Sequence, residues 1–275
     1  MSRTIVVSGA TDGMGRAFAL ERLVRGDRVV AIGSNPAKGD LLQAAAGSDV
    51  DRLHFLRADL SSVAEVERVV GEIAGSHRAV DALLLFANRT LPKRRQTAEG
   101  FEHTFALYYL SRYLLSHGLV PLLERSVRPV IVSVAGVGVT KGAIDWADPQ
   151  LTHGYSMVGA QLQAGRANDL LGVSFAEQHG GEIRFVLYHP GFTKSGDLSP
   201  LNFLARNVIR SLAAIAARPV SASIRPIHDF VDAPPTQPLS AIDRGRSLDL
   251  SLPTLDQGAA RRLAELTADL LAARP

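Results

Sequence analysis

The sequence predicts an α/β fold with a doubly wound parallel sheet that helices cover on both faces. Strand-like and helix-like segments alternate along the chain, which is the pattern of such sheets. The 275 residues are enough for one large domain with a full core. No Pro- or Gly-rich linker divides them, so we expect one domain over residues 1–275.

Seven segments have the character of buried strands, and helix-like segments separate most of them. The predicted strands are residues 5–8, 29–32, 53–57, 82–86, 130–134, 184–188 and 247–252. The predicted helices are residues 15–25, 62–74, 100–115 and about 157–178, followed by a C-terminal helix. Thr254 and Gln257 have the spacing of a capping box, which predicts the start of that last helix.

An apolar stripe lies between the sixth and seventh predicted strands. Its apolar members recur near helical spacing and two arginines lie off the stripe: Phe203, Leu204, Val208, Leu212 and Ile215, with Arg206 and Arg210. One interpretation is an amphipathic helix packed on the core. The other is a lid, over about residues 195–225, whose apolar face covers a bound small molecule.

The segment Ser8-Gly9-Ala10-Thr11-Asp12-Gly13-Met14-Gly15 joins the first predicted strand to the first predicted helix, and we call it the glycine loop. A strand that turns into a helix through glycines leaves backbone N–H groups and the positive end of the helix dipole facing a ligand. The glycines allow a tight turn, close approach of phosphates, and close packing of helix on strand. The loop therefore predicts a Rossmann-like dinucleotide site with contacts from Gly9, Thr11, Asp12, Gly13, Met14 and Gly15.

Composition and charge exclude several other classes of function. The net charge of +3 is spread over the sequence without blocks of like charge, so we expect no nucleic-acid partner. The absence of cysteine excludes disulfides, thiol catalysis and thiolate metal sites, and we expect no metal. No apolar run is long enough to span a bilayer, and strand-like sequence begins at Thr4 without a signal-peptide pattern. We therefore expect a cytoplasmic protein without a membrane partner.

Together with the glycine loop, segments after two predicted strands resemble the short-chain dehydrogenase/reductase family over nearly the whole chain. Asp59-Leu60 follows the third strand, and Pro190-Gly191-Phe192-Thr193 follows the sixth. The resemblance implies that Asp59 and Leu60 lie at the adenine ring of a nicotinamide cofactor, and that Pro190, Gly191 and Thr193 lie along its nicotinamide. An alternative for Asp59 is an acidic residue that stabilises the start of a helix.

Two more strand ends bear on the cofactor. Leu85-Phe86-Ala87-Asn88 stands where the family has Asn-Asn-Ala-Gly, which makes Ala87 and Asn88 candidate cofactor contacts. At the end of the second strand, NAD-specific members place an acidic residue on the ribose hydroxyls. Residues 32–38 contain no carboxylate, and Ser34, Asn35, Lys38 and Arg16 can donate to a 2′-phosphate. We expect NADPH, although neutral residues here also tolerate NADH.

The residues that carry catalysis in the family are missing. An active member has Tyr and Lys four residues apart on one helix face, with Tyr as the proton donor and Lys lowering the pKa of that Tyr. No Tyr-x-x-x-Lys occurs in this sequence. Residues 161–171 resemble the family helix that reads Tyr-x-x-Ser-Lys-Leu-Ala-Asn, with Gln161 at the Tyr position and Gly165 at the Lys position.

The other two catalytic positions also depart from the family. Gly136, or its neighbour Ala135, stands at the position of the catalytic Ser. Ser133 lies on the opposite face of its strand, which predicts a structural role. Tyr108 stands at the position of the family Asn. The catalytic group is therefore unknown, and Tyr108 and Gln161 are the candidates that remain.

The sequence keeps the cofactor-binding residues of the family and lacks its catalytic residues, which leads to three hypotheses about function. The first is an NADPH-dependent ketoreductase that acts on a rigid polycyclic aromatic ketone and takes its proton from water or from a hydroxyl of the substrate. This pattern resembles the atypical ketoreductases of aromatic polyketide antibiotic pathways that act on angucyclinones, as in simocyclinone biosynthesis. The second is an inactive NADPH-binding sensor or scaffold.

The third hypothesis is a non-redox cyclase or dehydratase on the same fold. Tyr155, Gln161, His153 and His189 are replacement groups for such chemistry, yet the sequence shows no partner that would tune any of them. Family members often form homo-oligomers through the helices that carry the Asn and Tyr positions, and others are monomers.

Overall fold

The computed structural model describes residues 2–191 and 219–274, which form an eight-stranded sheet flanked by helices. The strands are β1 (Thr4–Ser8), β2 (Arg28–Gly33), β3 (Leu53–Arg57), β4 (Ala82–Leu85), β5 (Val130–Val134), β6 (Arg184–His189), β7 (Leu239–Asp243) and β8 (Arg246–Ser247). Their order is β3-β2-β1-β4-β5-β6-β7-β8, with β1 to β7 parallel and β8 antiparallel to β7. The predicted fold class is confirmed.

The first six strands lie where the sequence predicts them, to within one residue at either end. The seventh prediction, at residues 247–252, is wrong. The alternation of leucines there has the period of a strand, but the Asp249 carboxylate accepts the backbone N–H of Ser251 at 2.9 Å and turns the chain. The strand that pairs with β6 is β7, and Arg244 and Gly245 form the turn that returns it as β8.

The described helices are α1 (Gly13–Val24), α2 (Pro36–Ala46), α3 (Val63–Ser76), α4 (His103–Phe105), α5 (Ser111–Gly118), α6 (Val120–Leu123), α7 (Met157–His179), α8 (Val220–Asp232) and α9 (Gln257–Ala272). Apolar residues of α1, α2 and α8 pack on one face of the sheet. Apolar residues of α3, α5, α7 and α9 pack on the other face. The sheet is thus doubly wound, and its carboxyl edge lies between the two helix layers.

Three of the described helices were not predicted, namely α2, α8 and the single turn α6. In α2, the sequence signals are the Asn35 side chain, which caps the helix by accepting the N–H of Lys38, and Pro36 in the first turn. Helix α8 overlaps only the end of the region predicted as a lid, about residues 195–225. The apolar stripe from Phe203 to Ile215 lies outside the described residues, and so does Thr193.

The last helix begins two residues later than its capping-box prediction implies. Thr254 lies in a 3-10 turn (Pro253–Leu255), and Asp256 is the N-cap of α9. The Asp256 carboxylate accepts the N–H of Ala259 at 2.7 Å, a better acceptor for an exposed helix start than the buried Thr254 hydroxyl. The Thr254–Gln257 capping box is therefore wrong.

Residues 103–118 are helical, as predicted for 100–115, but a π-helical turn at Ala106–Leu110 interrupts them. Such turns widen the backbone by one residue and occur often at functional sites. The Asn168 side chain of α7 donates to the carbonyl of Tyr108 at 2.8 Å. The π turn therefore fixes Tyr108 against α7, at the carboxyl edge of the sheet.

Helix α9 lies across the outer surface of the helices that cover β4 and β5. The Tyr109 hydroxyl in the π turn bonds Thr267 of α9 at 2.7 Å. Arg261 of α9 pairs with Glu177 of α7, and Arg274, just beyond α9, pairs with Glu67 of α3. Helix α9 thus reaches from α7 over the π turn to α3.

Candidate functional site

A cleft of about 790 Å³ opens along the carboxyl ends of β1 to β6. This edge is where doubly wound sheets bind ligands. The cleft brings together residues that the sequence assigns to cofactor binding or catalysis: Gly9, Thr11, Asp12, Gly13, Met14, Gly15, Ser34, Asp59, Leu60, Ala87, Asn88, Tyr108, Pro190 and Gly191. Asn35, Lys38 and Gln161 do not line it. In the described ranges, no group of three or more acidic or histidine side chains could hold a metal ion.

The glycine loop requires glycine at both of its ends. Gly9 has a φ of +71°, and a Cβ there would lie 2.8 Å from the backbone nitrogen of Ala87. A Cβ on Gly15 would lie 2.2 Å from the carbonyl oxygen of Gly9. Glycine at these positions lets α1 start close against β1, so that Gly13, Met14 and Gly15 present the start of the helix to the cleft.

The residues predicted to recognise a 2′-phosphate have different surroundings. Ser34 lines the cleft, and the Asn35 side-chain oxygen accepts the Lys38 N–H at 3.1 Å as the cap of α2. The Lys38 ammonium pairs with the Asp12 carboxylate of the glycine loop. Ser34 and Lys38 remain candidate donors to a phosphate, while the Asn35 oxygen already serves the helix.

Asp59 lies in the cleft just after β3, where its carboxylate organises the following turn. Its Oδ1 accepts the Ser61 N–H at 3.0 Å and the Ser61 hydroxyl at 2.8 Å. The N-cap of α3 is Ser62, which accepts the N–H of Glu65. Asp59 therefore sits ahead of the helix rather than inside its first turn, and it also faces the cleft.

Gln161 ties α7 to the segment after β4. Its amide exchanges two hydrogen bonds with the Asn88 amide, at 3.1 and 3.2 Å, and donates a third to the Arg89 carbonyl at 3.3 Å. An amide in this network is neutral and has no proton to release near neutral pH. The geometry gives Gln161 a bridging role at the rim of the cleft.

Tyr108 is 7% exposed and lies with Ala135 and Ala164 at the end of the cleft away from the glycine loop. The guanidinium carbon of Arg112 is 4.7 Å from the centre of its ring, a cation–π arrangement. Burial raises the pKa of Tyr108, against the opposing charge of Arg112. The phenol is therefore neutral at physiological pH.

Arg112 is fully buried without a carboxylate partner among the described residues. Its guanidinium donates to the Ser133 hydroxyl at 2.7 Å and to the carbonyls of Val134 and Ala87 at 3.1 and 3.3 Å. Burial lowers the pKa of Arg112 to about 10, so it stays charged at neutral pH. It fastens the ends of β4 and β5 to each other beneath the cleft, and Ser133 has the structural role expected of it.

The structure gives His189 a partner that sequence reasoning missed. His189 ends β6 and lines the cleft, and its Nδ1 lies 2.8 Å from Oδ1 of Asp243 at the end of β7. The sequence contains the acidic residue, but the strand prediction at residues 247–252 left Asp243 outside the sheet. The correct position of β7 makes the two residues neighbours.

Other replacement groups lie away from the cleft. The Tyr155 hydroxyl donates to the Leu91 carbonyl at 2.8 Å, and Tyr155 does not line the cleft. His153 pairs with Asp148 at 3.4 Å, and its side chain is 93% exposed. Neither residue lines the cleft.

Residues 3–147 match the short chain dehydrogenase family, so the chain belongs to this family of NAD(P)-dependent oxidoreductases. The chain is also similar over nearly its whole length to "Putative daunorubicin C-13 ketoreductase DnrU" of Streptomyces sp. (strain C5). That relative is 27% identical, over 97% of this chain and 91% of the relative.

Other curated relatives match part of their length. "Oxidoreductase AN1596" of Emericella nidulans is 29% identical over 68% of this chain, and "Polyprenol dehydrogenase" of Mus musculus is 30% identical over 59% of it. This chain spans 57% of the first relative and 50% of the second.

Solved structures share the fold. A "putative short chain dehydrogenase" from Escherichia coli CFT073 complexed with NADPH has a TM-score of 0.64 at 18% identity, over 89% of this chain and 97% of that one. A short-chain dehydrogenase from Streptomyces avermitilis has a TM-score of 0.65 at 18% identity, over 99% of this chain and 97% of that one.

The sheet and the helices therefore follow the family architecture. Among the described residues, no helix is both long and apolar enough to cross a membrane.

Proposed function

We propose that this protein is an NADPH-dependent ketoreductase that reduces a carbonyl group on a polycyclic aromatic substrate of the polyketide antibiotic type. One observation carries the proposal. A single cleft runs from the glycine loop, where a pyrophosphate would bind, to Tyr108, whose ring suits a flat aromatic ligand.

The residues present fit a dinucleotide. The missing Cβ of Gly15 is what lets α1 approach β1, and the start of α1 faces the cleft. Ser34 in the cleft and Lys38 beside it favour the 2′-phosphate of NADPH, and the absence of a carboxylate at the end of β2 leaves NADH tolerated. NADPH, when bound, supplies a hydride to the substrate.

We therefore expect the retained cofactor-binding residues to support the reduction without the Tyr–Lys pair of the family. Gln161 is held by Asn88, and a Cβ on Gly165 would have no atom within 4 Å, so the Lys position is open space. We infer that the proton reaches the carbonyl oxygen from water or from a hydroxyl beside the carbonyl on the substrate. Positioning of the two reactants then supplies most of the acceleration.

The substrate class rests on two supports. The full-length relative DnrU carries a ketoreductase name linked to daunorubicin, an aromatic polyketide. The end of the cleft away from the glycine loop is lined by apolar and aromatic residues, among them Leu107, Tyr108 and Ala135. The cytoplasmic location and the substrate itself stay predictions.

The test is incubation with NADPH and a panel of polycyclic aromatic ketones, including 1-tetralone and 8-hydroxy-1-tetralone. Loss of the nicotinamide absorbance together with an alcohol product is the expected result. Faster reduction of the hydroxylated ketone indicates a substrate hydroxyl as the immediate proton donor, and equal rates indicate water. Tight NADPH binding without turnover favours the sensor or scaffold. A rearranged or dehydrated product without NADPH loss favours the cyclase or dehydratase.

A further inference from the structure

His189 and Asp243 form a hydrogen-bonded pair at the edge of the cleft. They are register partners at the carboxyl ends of adjacent parallel strands, β6 and β7, so the backbone sets their side chains on the same face of the sheet. Nδ1 of His189 and Oδ1 of Asp243 are 2.8 Å apart. His189 lines the cleft next to Pro190 and Gly191, where the family resemblance expects the nicotinamide.

The turn after β7 holds Asp243 in place. The Arg244 guanidinium donates to both carboxylate oxygens of Asp243, at 2.9 to 3.2 Å, and the Arg244 N–H donates to the His189 carbonyl at 2.8 Å. Arg244 has a φ of +51°, a conformation that residues with a side chain rarely adopt. Burial would raise the pKa of Asp243, but hydrogen bonds from Arg244 and His189 hold it below its usual value. The carboxylate is thus charged and fixed.

Among the described residues, the other ring nitrogen of His189, Nε2, is free of such a contact. No residue of the described ranges 2–191 and 219–274 hydrogen-bonds to Nε2, and Nε2 is not among the buried atoms that lack a partner. The side chain is 31% exposed and borders the cleft. A histidine can transfer protons when a carboxylate is hydrogen-bonded to its Nδ1 and its Nε2 is accessible, because the carboxylate fixes the tautomer and stabilises the imidazolium.

The other side chains considered for catalysis are poorer proton donors. Burial raises the pKa of Tyr108 and so makes its phenol a weaker acid, and the Gln161 amide does not ionise. The Asp243 carboxylate contacts the His189 ring, and the Arg244 guanidinium contacts that carboxylate.

We propose that His189, oriented by Asp243, is the group that restores the proton consumed in the reduction, through a hydrogen bond from Nε2 to the water or substrate hydroxyl that protonates the carbonyl oxygen. This inference rests on the proposed ketoreductase function. The carbonyl carbon accepts the hydride of reduced nicotinamide, and the carbonyl oxygen takes a proton from the hydroxyl or water. The oxygen of that hydroxyl or water, which has lost its proton, then takes the proton from Nε2 of His189. Imidazolium becomes imidazole, keeps Nδ1–H on Asp243, and is recharged from solvent.

The experiment compares His189→Gln and Asp243→Asn with the wild type and with a matched control, His153→Gln. The control removes the exposed His153 of a second His–Asp pair that lies outside the cleft. Two quantities are measured for each variant: kcat for the ketones that the wild type reduces, and the Kd of NADPH by fluorescence titration. We expect kcat to fall about 100-fold in H189Q and about 10-fold in D243N, the scale of general acid catalysis, with Kd within about twofold. H153Q should change neither quantity.

A second readout does not depend on turnover. In ¹⁵N NMR spectra of the protein alone, the signal of His189 is the one missing from H189Q. We expect neutral His189 to carry its proton on Nδ1 in the wild type, and to lose this preference in D243N.

Each outcome decides the matter. Wild-type kcat in H189Q, or neutral His189 protonated on Nε2, overturns the relay and leaves the ketoreductase standing. A loss of NADPH affinity as large as the loss of kcat makes His189 structural and also overturns the relay. A wild type that binds NADPH and reduces no ketone overturns the ketoreductase and the relay together.

Discussion

The Lys38 ammonium at the start of α2 pairs with the Asp12 carboxylate in the glycine loop. The two side chains are 40% and 59% exposed, so the pair adds little to stability. The pair instead fixes the position of the Lys38 cation beside Ser34, at the edge of the cleft where a 2′-phosphate is expected. Lys38 can exchange Asp12 for a phosphate at small cost, since both partners stay partly in water.

Replacing Lys38 with Met should weaken NADPH binding about 3- to 10-fold and leave NADH binding unchanged. A charge-assisted bond to phosphate at a partly exposed site accounts for this size of effect. Fluorescence titration of both cofactors measures the ratio of their Kd values. Asp12→Asn, which keeps the helix cap, should tighten NADPH binding because it removes a nearby negative charge. An equal loss of NADH affinity in K38M would show that Lys38 does not read the 2′-phosphate.

Gln161→Ala should keep substantial activity, within about fivefold of the wild-type kcat. Gln161 cannot donate a proton, and its contacts with Asn88 and Arg89 lie at the rim of the cleft. Steady-state kinetics with NADPH and a ketone that the wild type reduces test this expectation. A collapse of turnover with unchanged NADPH affinity would mean that the amide itself contacts the reacting carbonyl.

Gly13→Leu should abolish NADPH binding. Gly13 has a φ of +51° and lines the cleft, so a bulky side chain both strains the loop and occupies the space of the pyrophosphate. The matched control is Gly75→Ala, an exposed position in α3 where a Cβ meets no atom within 4 Å. Thermal melts confirm that both variants fold, and isothermal titration measures binding. NADPH affinity retained in G13L would overturn the glycine-loop assignment.

The cofactor end of the site could be predicted from sequence because its signals are local. The glycine loop, Asp59 and Pro190-Gly191 each follow a strand directly, and parallel strands bring their carboxyl ends to one edge. The His189–Asp243 pair could not be predicted, because its partners are 54 residues apart and depend on where β7 lies. The leucine alternation near residue 250 satisfied the strand pattern, while the local turn at Asp249 decided the structure.

We expect the protein to be a monomer. The sequence-level expectation of pairing involves the helices with the family Asn and Tyr positions, here the π turn and α7. Helix α9 already packs on that surface, with Thr267 bonded to Tyr109 and Arg261 paired with Glu177. Light scattering after size exclusion should therefore give a mass near 29.4 kDa. A stable mass of twice that value would mean that another surface mediates pairing or that α9 moves away.

Asp169 in α7 should make the stability depend on pH in an unusual direction. Burial raises the pKa of this carboxyl to about 7, although Arg166 lies 3.8 Å away and opposes the shift. In the unfolded chain an Asp ionises near pH 4, so between about pH 4 and pH 7 the folded state holds a proton that the unfolded state has lost. The stabilisation associated with that proton is complete below pH 4 and is lost as the pH rises to about 7.

The variant Asp169→Asn isolates this effect. Burial also lowers the pKa of His117 to about 4, which gives a slope of opposite sign over part of the same range, so the difference between wild type and variant is the informative quantity. Urea unfolding from pH 4 to pH 8 should show the free energy of unfolding of the wild type falling relative to the variant, by on the order of 4 kcal/mol. A difference independent of pH would mean that Asp169 is ionised in the folded protein and that Arg166 compensates its burial.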